Sequence, residues 1–300
     1  MREVLAASRP FSWINTAYPF AAGMLVATQG RLDVAGWVTF AVGTLFFLVP
    51  YNLLMYGVND VFDYSSDLAN PRKGGIEGGL VAPERARVVH RRIVVASVAT
   101  TTPFVVALLA LGSGGRLGGV PPWPSLTLLV VVFGVVAYSA PEMRFKERPV
   151  LDSFTSAMHF AGPLLYALVL VGAPLTARAV WPAVVAFVVW GMASHAFGAV
   201  QDVRADRTGG IASVATALGA RTTVRLVVGA YVLSAAALAV LPWPGWLAAV
   251  LPLAYAANAA RFLDVTDDDC ERANAGWRVF LRLNLVAGAA VTILLLAANH

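Results

Sequence analysis

Charge is scarce in this chain. Only 13% of its 300 residues are Asp, Glu, Lys or Arg, against about 25% in a typical soluble domain. Little sequence is therefore left to build a soluble domain beside the apolar segments. Cysteine is nearly missing as well: Cys270 is the single one, so an internal disulfide is excluded. The apolar runs are continuous and lack strict alternation, which disfavours a transmembrane β-barrel. Few ionisable groups interrupt these runs. His159 and His195 are the intramembrane ones, and no obvious Asp or Glu joins them.

What fills the chain is apolar. The share of hydrophobic residues is 58% and the mean hydropathy is +0.70. A helix needs about 20 apolar residues to cross a bilayer. Nine such segments are expected, near 13–29, 34–58, 93–112, 123–140, 153–172, 180–200, 223–241, 243–260 and 279–298. The expectation is an all-α, polytopic membrane protein with one domain over residues 1–300. The apolar stretch after the charged M-R-E-V start is long and reads as a first span, not a cleaved signal peptide.

Basic residues set the orientation. Of the 22 Lys and Arg, all but Arg31, Arg116 and Arg178 fall on one side of these spans. The positive-inside rule assigns that side, with the N-terminus, to the cytoplasm of a multi-pass protein in the cell membrane. The opposite loops carry Trp37, Trp123, Trp181, Trp243 and Trp246, in keeping with an interfacial aromatic belt. The net charge of +5 is thus a topology signal, and nucleic acid is not an expected partner.

Against this background two acidic clusters stand out. N-D-V-F-D-Y-S-S-D supplies Asn59, Asp60, Asp63 and Asp67, and Q-D-V-R-A-D-R supplies Asp202 and Asp206. Asp60, Asp63 and Asp67 are spaced i, i+3, i+7, and Asp202 and Asp206 i, i+4. Each set falls on one helical face. Four expected crossings separate the clusters, so both belong to the cytoplasmic side. Bunched carboxylates repel unless a cation lies among them. Mg²⁺ is commonly held by a few carboxylates together with substrate phosphate oxygens. Asn59 adds a neutral oxygen ligand. Arg72 and Lys73 follow a helix-breaking Asn70-Pro71, with Gly74-Gly75 beside them. Cations next to a metal site suit a diphosphate. A third segment on the same side, Y-S-A-P-E-M-R-F-K-E-R-P, offers Tyr138, Arg144, Lys146 and Arg148 as further phosphate contacts, or as ordinary positive-inside anchors.

Other polar residues are assigned smaller parts. Asp267-Asp268-Asp269 lacks the helical spacing and reads as a solvated loop. His159 and His195 fit structural donors to a neighbouring helix as well as functional groups, and neither is assigned as a catalytic base. Asn15 is a candidate for lining a cavity. A weak echo, span then Asp-rich helix end then glycine, follows the second and sixth spans without forming a demonstrable repeat.

At these residues the chain resembles the UbiA superfamily of intramembrane prenyltransferases. The two Asp-rich motifs and the nine expected helices carry the resemblance, which covers essentially the whole chain. Within that superfamily, Y-N-L-L-M-Y-G-V-N-D-V-F-D-Y-S-S-D-L-A-N-P-R-K-G-G-I-E-G, A-Y-S-A-P-E-M-R-F-K-E-R-P, G-A-V-Q-D-V-R-A-D-R and S-R-P-F-S-W-I-N-T-A-Y-P-F are most similar to the bacterial lycopene elongases of C50 carotenoid synthesis. The resemblance implies a UbiA-type bundle and an Mg²⁺-dependent transfer of a dimethylallyl group from its diphosphate to lycopene. It implies metal and diphosphate ligation by Asn59, Asp60, Asp63, Asp67, Asp202 and Asp206. Asp60, Asp63, Asp202 and Lys146 are the residues expected to carry catalysis. Asn59, Arg72, Lys73, Tyr138 and Arg148 are expected on the diphosphate. A polyene acceptor has no phenol to deprotonate, so no strong base is expected for the attack itself. Two alternatives stand beside this reading: another lipophilic acceptor, such as an aromatic quinone precursor, and a transporter. Transporters commonly place their charges near the midplane, whereas these acids cluster at one membrane face.

Overall fold

The structure, a computed structural model, describes residues 2–64, 81–112 and 122–298. Among the described residues it is helical, without strands. In chain order the helices are α1 (Arg2–Ala7), α2 (Trp13–Ala27), α3 (Val34–Phe62), α4 (Pro83–Gly112), α5 (Trp123–Ser139), α6 (Leu151–Leu170), α7 (Trp181–Val200), α8 (Val203–Thr208), α9 (Val214–Leu218), α10 (Ala220–Ala239), α11 (Gly245–Ala260) and α12 (Ala273–Ala298).

Each of the nine expected spans coincides with a helix, but among the described residues length and hydropathy mark six as able to cross a membrane: α3, α4, α6, α7, α10 and the Cys270–Ala298 segment containing α12. Helix α2 has 15 residues and α5 has 17. At about 1.5 Å per residue these fall short of a hydrocarbon layer about 30 Å thick. Many large apolar side chains face outward, among them Val106 on α4, Leu233 on α10 and Leu285 on α12. Helices apolar all round suit a lipid environment, and the chain reads as a multi-pass membrane protein.

By packing, the chain divides into two compact units. One comprises Met1–Arg144 with Gly162–Ala173, the other Phe145–Ala161 with Pro174–His300.

The first unit is organised by aromatic packing. Phe20, Phe46, Phe47, Tyr51 and Tyr166 are all buried in one cluster. Gly43 lets α2 and α3 approach: a Cβ there would lie 2.2 Å from the Phe20 ring. Helix α3 is not regular throughout. Pro50 cannot donate to the preceding turn. Fully buried Asn52 compensates: its Nδ2 donates to Phe47 O (2.8 Å) and Leu48 O (3.1 Å), and to Thr16 Oγ1 (2.6 Å). A π-helical turn, Leu53–Gly57, follows and changes the phase of the helix just before Asn59.

The second unit packs α10 against α7 and α11, with Phe197, Tyr231, Tyr255, Phe262 and Phe280 in its core. Gly191 permits a close crossing of α6 and α7, since a Cβ at that position would stand 2.9 Å from Ala157 Cβ. Helix α9 is started by a capping box. Ser213 Oγ accepts from Thr216 N, and Thr216 Oγ1 accepts from Ser213 N.

Candidate active site

In the first unit, the acidic residues cluster where α3 ends. Asn59 and Asp60 lie in its last turn and Asp63 caps it. Asp63 is buried. Its Oδ2 accepts from Asn59 Nδ2 at 2.7 Å, and the same amide donates to Ser139 Oγ at 3.0 Å. Both amide protons of Asn59 are thereby used, which leaves its carbonyl oxygen as the atom available to a cation. Asp60 accepts from Arg9 at 3.0 Å. The Arg9 guanidinium also lies over the Tyr56 ring, 4.4 Å from its centre. Arg144 approaches Asp63 at 3.9 Å. Arg9 and Arg144 both have positive φ, 49° and 38°, strained backbone of the kind that accumulates at functional sites. Tyr138 stands in the last turn of α5, next to Ser139. Asp67, Arg72 and Lys73 lie outside the described residues.

The second unit carries the other cluster in the turn from α7 to α8. Asp202 N-caps α8 without a side-chain cap bond, and Asp206 stands one turn on, its N–H bonded to Asp202 O at 2.8 Å. The turn is anchored from α12: Asn274 Nδ2 donates to Gln201 Oε1 at 2.6 Å. The intervening arginines point elsewhere. Arg204 pairs with Glu271 at 2.6 Å, and Arg207 pairs with Asp267. Lys146 and Arg148 precede α6 in the same unit. Lys146 is half-buried, and loss of hydration pushes its ammonium down to about 8 against the opposing pull of Glu147. Arg148 is exposed, its guanidinium 5.8 Å from the Phe145 ring centre.

Two expectations are corrected. The Asp267–Asp269 segment is not simply a solvated loop. Asp267 Oδ1 accepts from Ala220 N at 2.6 Å, and this bond, with Arg207 beside it, holds the carboxyl below its usual range. Asp269 accepts from Arg272, from Thr266 N and from Thr266 Oγ1, which lowers its carboxyl too. Nor do the apolar helices lack an acid. Asp152, in the first turn of α6, is fully buried. It accepts from Val214 N and Ser153 N, each at 2.7 Å, and its Oδ2 lies 3.8 Å from His195 Nε2 on α7. Sequence reasoning missed it because one Asp at the edge of an apolar run resembles a helix-start residue. It also undervalued Arg9, whose signal was the arginine immediately before Pro10 and the first span.

Among the described residues no three His, Cys, Asp or Glu side chains are grouped closely enough to hold a metal by themselves. The donor set at α3 nonetheless fits Mg²⁺: two carboxylates and a carboxamide oxygen, all hard oxygen donors. Arg9 and Arg144 now supply positive charge to those carboxylates.

Comparison with known proteins adds four findings. The family model described as the UbiA prenyltransferase family matches residues 16–286. The chain is 47% identical over 301 residues to the lycopene elongase/hydratase of Corynebacterium glutamicum, covering 100% of this chain and 98% of that protein. It is 50% identical over 290 residues to the C(50) beta-cyclic carotenoids biosynthesis protein LbtBC of a Dietzia species, covering 96% of this chain and 63% of that longer protein. Among solved structures, a UbiA homolog from Archaeoglobus fulgidus bound to DMAPP and Mg²⁺ superposes with a TM-score of 0.66. At 16% identity it covers 95% of this chain and 98% of that one. At that identity the likeness speaks for the fold alone.

Proposed function

Because the chain belongs to the UbiA prenyltransferase family, we propose that it transfers a dimethylallyl group from its diphosphate to an end of lycopene, giving elongated C45 and C50 carotenoids. The observation that carries the acceptor assignment is the 47% identity, along the full length, to a lycopene elongase/hydratase. The oxygen-donor helix end at Asn59, Asp60 and Asp63 supports the donor chemistry. In this reading residues 1–300 are one membrane domain of nine transmembrane helices in the cell membrane, with the acidic helix ends facing the cytoplasm.

Asn59, Asp60, Asp63 and Asp67 in the first motif, and Asp202 and Asp206 in the second, are the assigned metal ligands. The chemistry that Mg²⁺ supplies when bound is neutralisation of the diphosphate and stabilisation of the charge it gains on leaving. The chain's own groups do the rest. Lys146 and Arg148, with Arg72, Lys73 and Tyr138, bind the diphosphate oxygens. Arg9 and Arg144 hold Asp60 and Asp63 in position through the pairs they make. The apolar helices exclude water from the allylic cation formed when the donor C–O bond breaks. The terminal double bond of lycopene then attacks, leaving a tertiary cation that loses a proton or captures water. The polyene enters from the bilayer and the diphosphate from the cytoplasm.

The test is carotenoid analysis by mass spectrometry in lycopene-producing cells expressing the chain. Carotenoids heavier by one or two five-carbon units, absent with Asp63→Ala, support the reading. Unchanged lycopene, with the protein present in the membrane, refutes lycopene as the acceptor and directs the search to aromatic ones.

A further inference from the structure

Terminating the proposed reaction requires a base, and the mechanism above leaves one unnamed. We infer that His195 is that base and that Asp152 is the residue that positions it; this inference deepens the carotenoid prenyltransferase reading and rests on it.

Helix packing in the second unit brings the two residues together. Gly191 and Ala157 meet at the close crossing of α7 and α6. One turn beyond Gly191 comes His195, and five residues before Ala157 comes Asp152, so the antiparallel helices bring the two side chains together, with Nε2 3.8 Å from Oδ2. Asp152 is fully buried and locked by the Val214 and Ser153 amides. Burying a carboxylate is costly unless hydrogen bonds or a partner charge offset it. Two backbone donors offset part of that cost, and an imidazolium beside the carboxylate would offset more. The fixed carboxylate thus orients the imidazole, with Nε2 toward Oδ2. A base oriented by a buried acid is a recurrent catalytic arrangement.

His195 precedes Asp202 by seven residues; α7 ends at Val200, and Gln201 and Asp202 form the turn into α8, with Asp202 N bonded to Ala199 O at 3.1 Å. His195 lies five residues before the end of α7, about 8 Å along the helix axis from Val200. The imidazole thus stands on the membrane side of the second acidic motif, where a short prenyl chain hanging from its diphosphate would be joined to the acceptor.

The donor C–O bond breaks and its electron pair leaves with diphosphate. The terminal π pair of lycopene forms the new C–C bond and leaves a tertiary cation. A C–H bond next to the cation then gives its electron pair to a new C=C and its proton to His195. In the hydrating ending, water adds to the cation and the attacking oxygen sheds its proton to the same imidazole. The imidazole returns the proton to solvent before the next turnover.

The experiment uses full-length protein in membranes with lycopene, dimethylallyl diphosphate and Mg²⁺, following elongated carotenoid by mass and free diphosphate separately. General acid–base catalysis is worth about 10²–10⁴-fold. His195→Ala should lower carotenoid formation by about 10²-fold, with Mg²⁺-dependent diphosphate release continuing and added imidazole restoring part of the product. Asp152→Asn, which keeps an acceptor for Val214 N, should change the ratio of hydrated to olefinic product. Should His195→Ala misfold, near-isosteric His195→Gln is expected to fold and to show the same loss. Unchanged rate and product ratio in either His195 variant overturns the inference. So does full activity in His195→Gln, because an amide can replace a structural donor but not a base. A wild-type chain that fails to elongate lycopene overturns the acceptor reading and this inference with it; an elongating wild type with an unchanged His195 variant overturns the inference alone.

Discussion

Lys146 ties a measurable pH dependence to one half-buried side chain. An ordinary lysine titrates near 10.4, but burial at the start of the second unit brings Lys146 down to about 8. In the proposed reading protonated Lys146 is a cation that binds diphosphate, and raising the pH removes that charge. With a midpoint of about 8, about nine-tenths of the free enzyme carries the charge near pH 7 and about one-tenth near pH 9. The kcat/KM for dimethylallyl diphosphate should therefore fall about tenfold between those values, since that parameter reports free-enzyme ionisations. Bound diphosphate favours the ammonium, so the alkaline limb of kcat should lie at higher pH than that of kcat/KM. Lys146→Arg should carry the limb beyond the measurable range, because a guanidinium does not deprotonate in proteins. Lys146→Met should lower kcat/KM at every pH and abolish the limb. Stability runs the other way: the unfolded chain binds the proton more tightly, so between about 8 and 10.4 this group makes the folded state more stable as pH rises. A flat kcat/KM across that range, or an unchanged limb in Lys146→Arg, refutes the argument.

Further outcomes follow from other contacts. Asp60→Ala, Asp63→Ala and Asp202→Ala should each abolish prenyl transfer while leaving normal amounts of protein in the membrane; full activity in any one removes that residue from the site. Chelation with EDTA should stop diphosphate release, and added Mg²⁺ should restore it. Gly43→Ala drives a methyl into the buried Phe20 ring and should cost about 1–3 kcal/mol of stability, read as a lower unfolding temperature in detergent. Asn52→Ala strips the Phe47 and Leu48 carbonyls of a donor and should cost about 1–3 kcal/mol. His159→Ala should reduce activity only mildly, and complete loss in a well-folded variant would give that histidine a direct role.

Much of this protein is determined by sequence alone, because its solvent leaves few choices. A chain with so little charge and such long apolar runs folds as helices in lipid, since each helix satisfies its own backbone hydrogen bonds. The acidic clusters were legible for the same reason: carboxylates are costly beside apolar helices and stand out at i, i+3 or i, i+4 spacing. Side-chain pairing across distant segments was not legible. Arg9 and Asp60 are 51 residues apart in sequence, and Asp152 and Val214 are 62 apart. No local pattern announces either pair. Asp267 looked like a loop acid until the start of α10 supplied an amide for it. The π-helical turn that re-phases Asn59, Asp60 and Asp63 depends on how Asn52 and Thr16 meet carbonyls freed near Pro50. The meeting of Asp152 with His195 depends on a glycine that lets two helices close. Local periodicity sets which residues share a helix face; only packing decides which faces meet, and therefore which buried charges find partners.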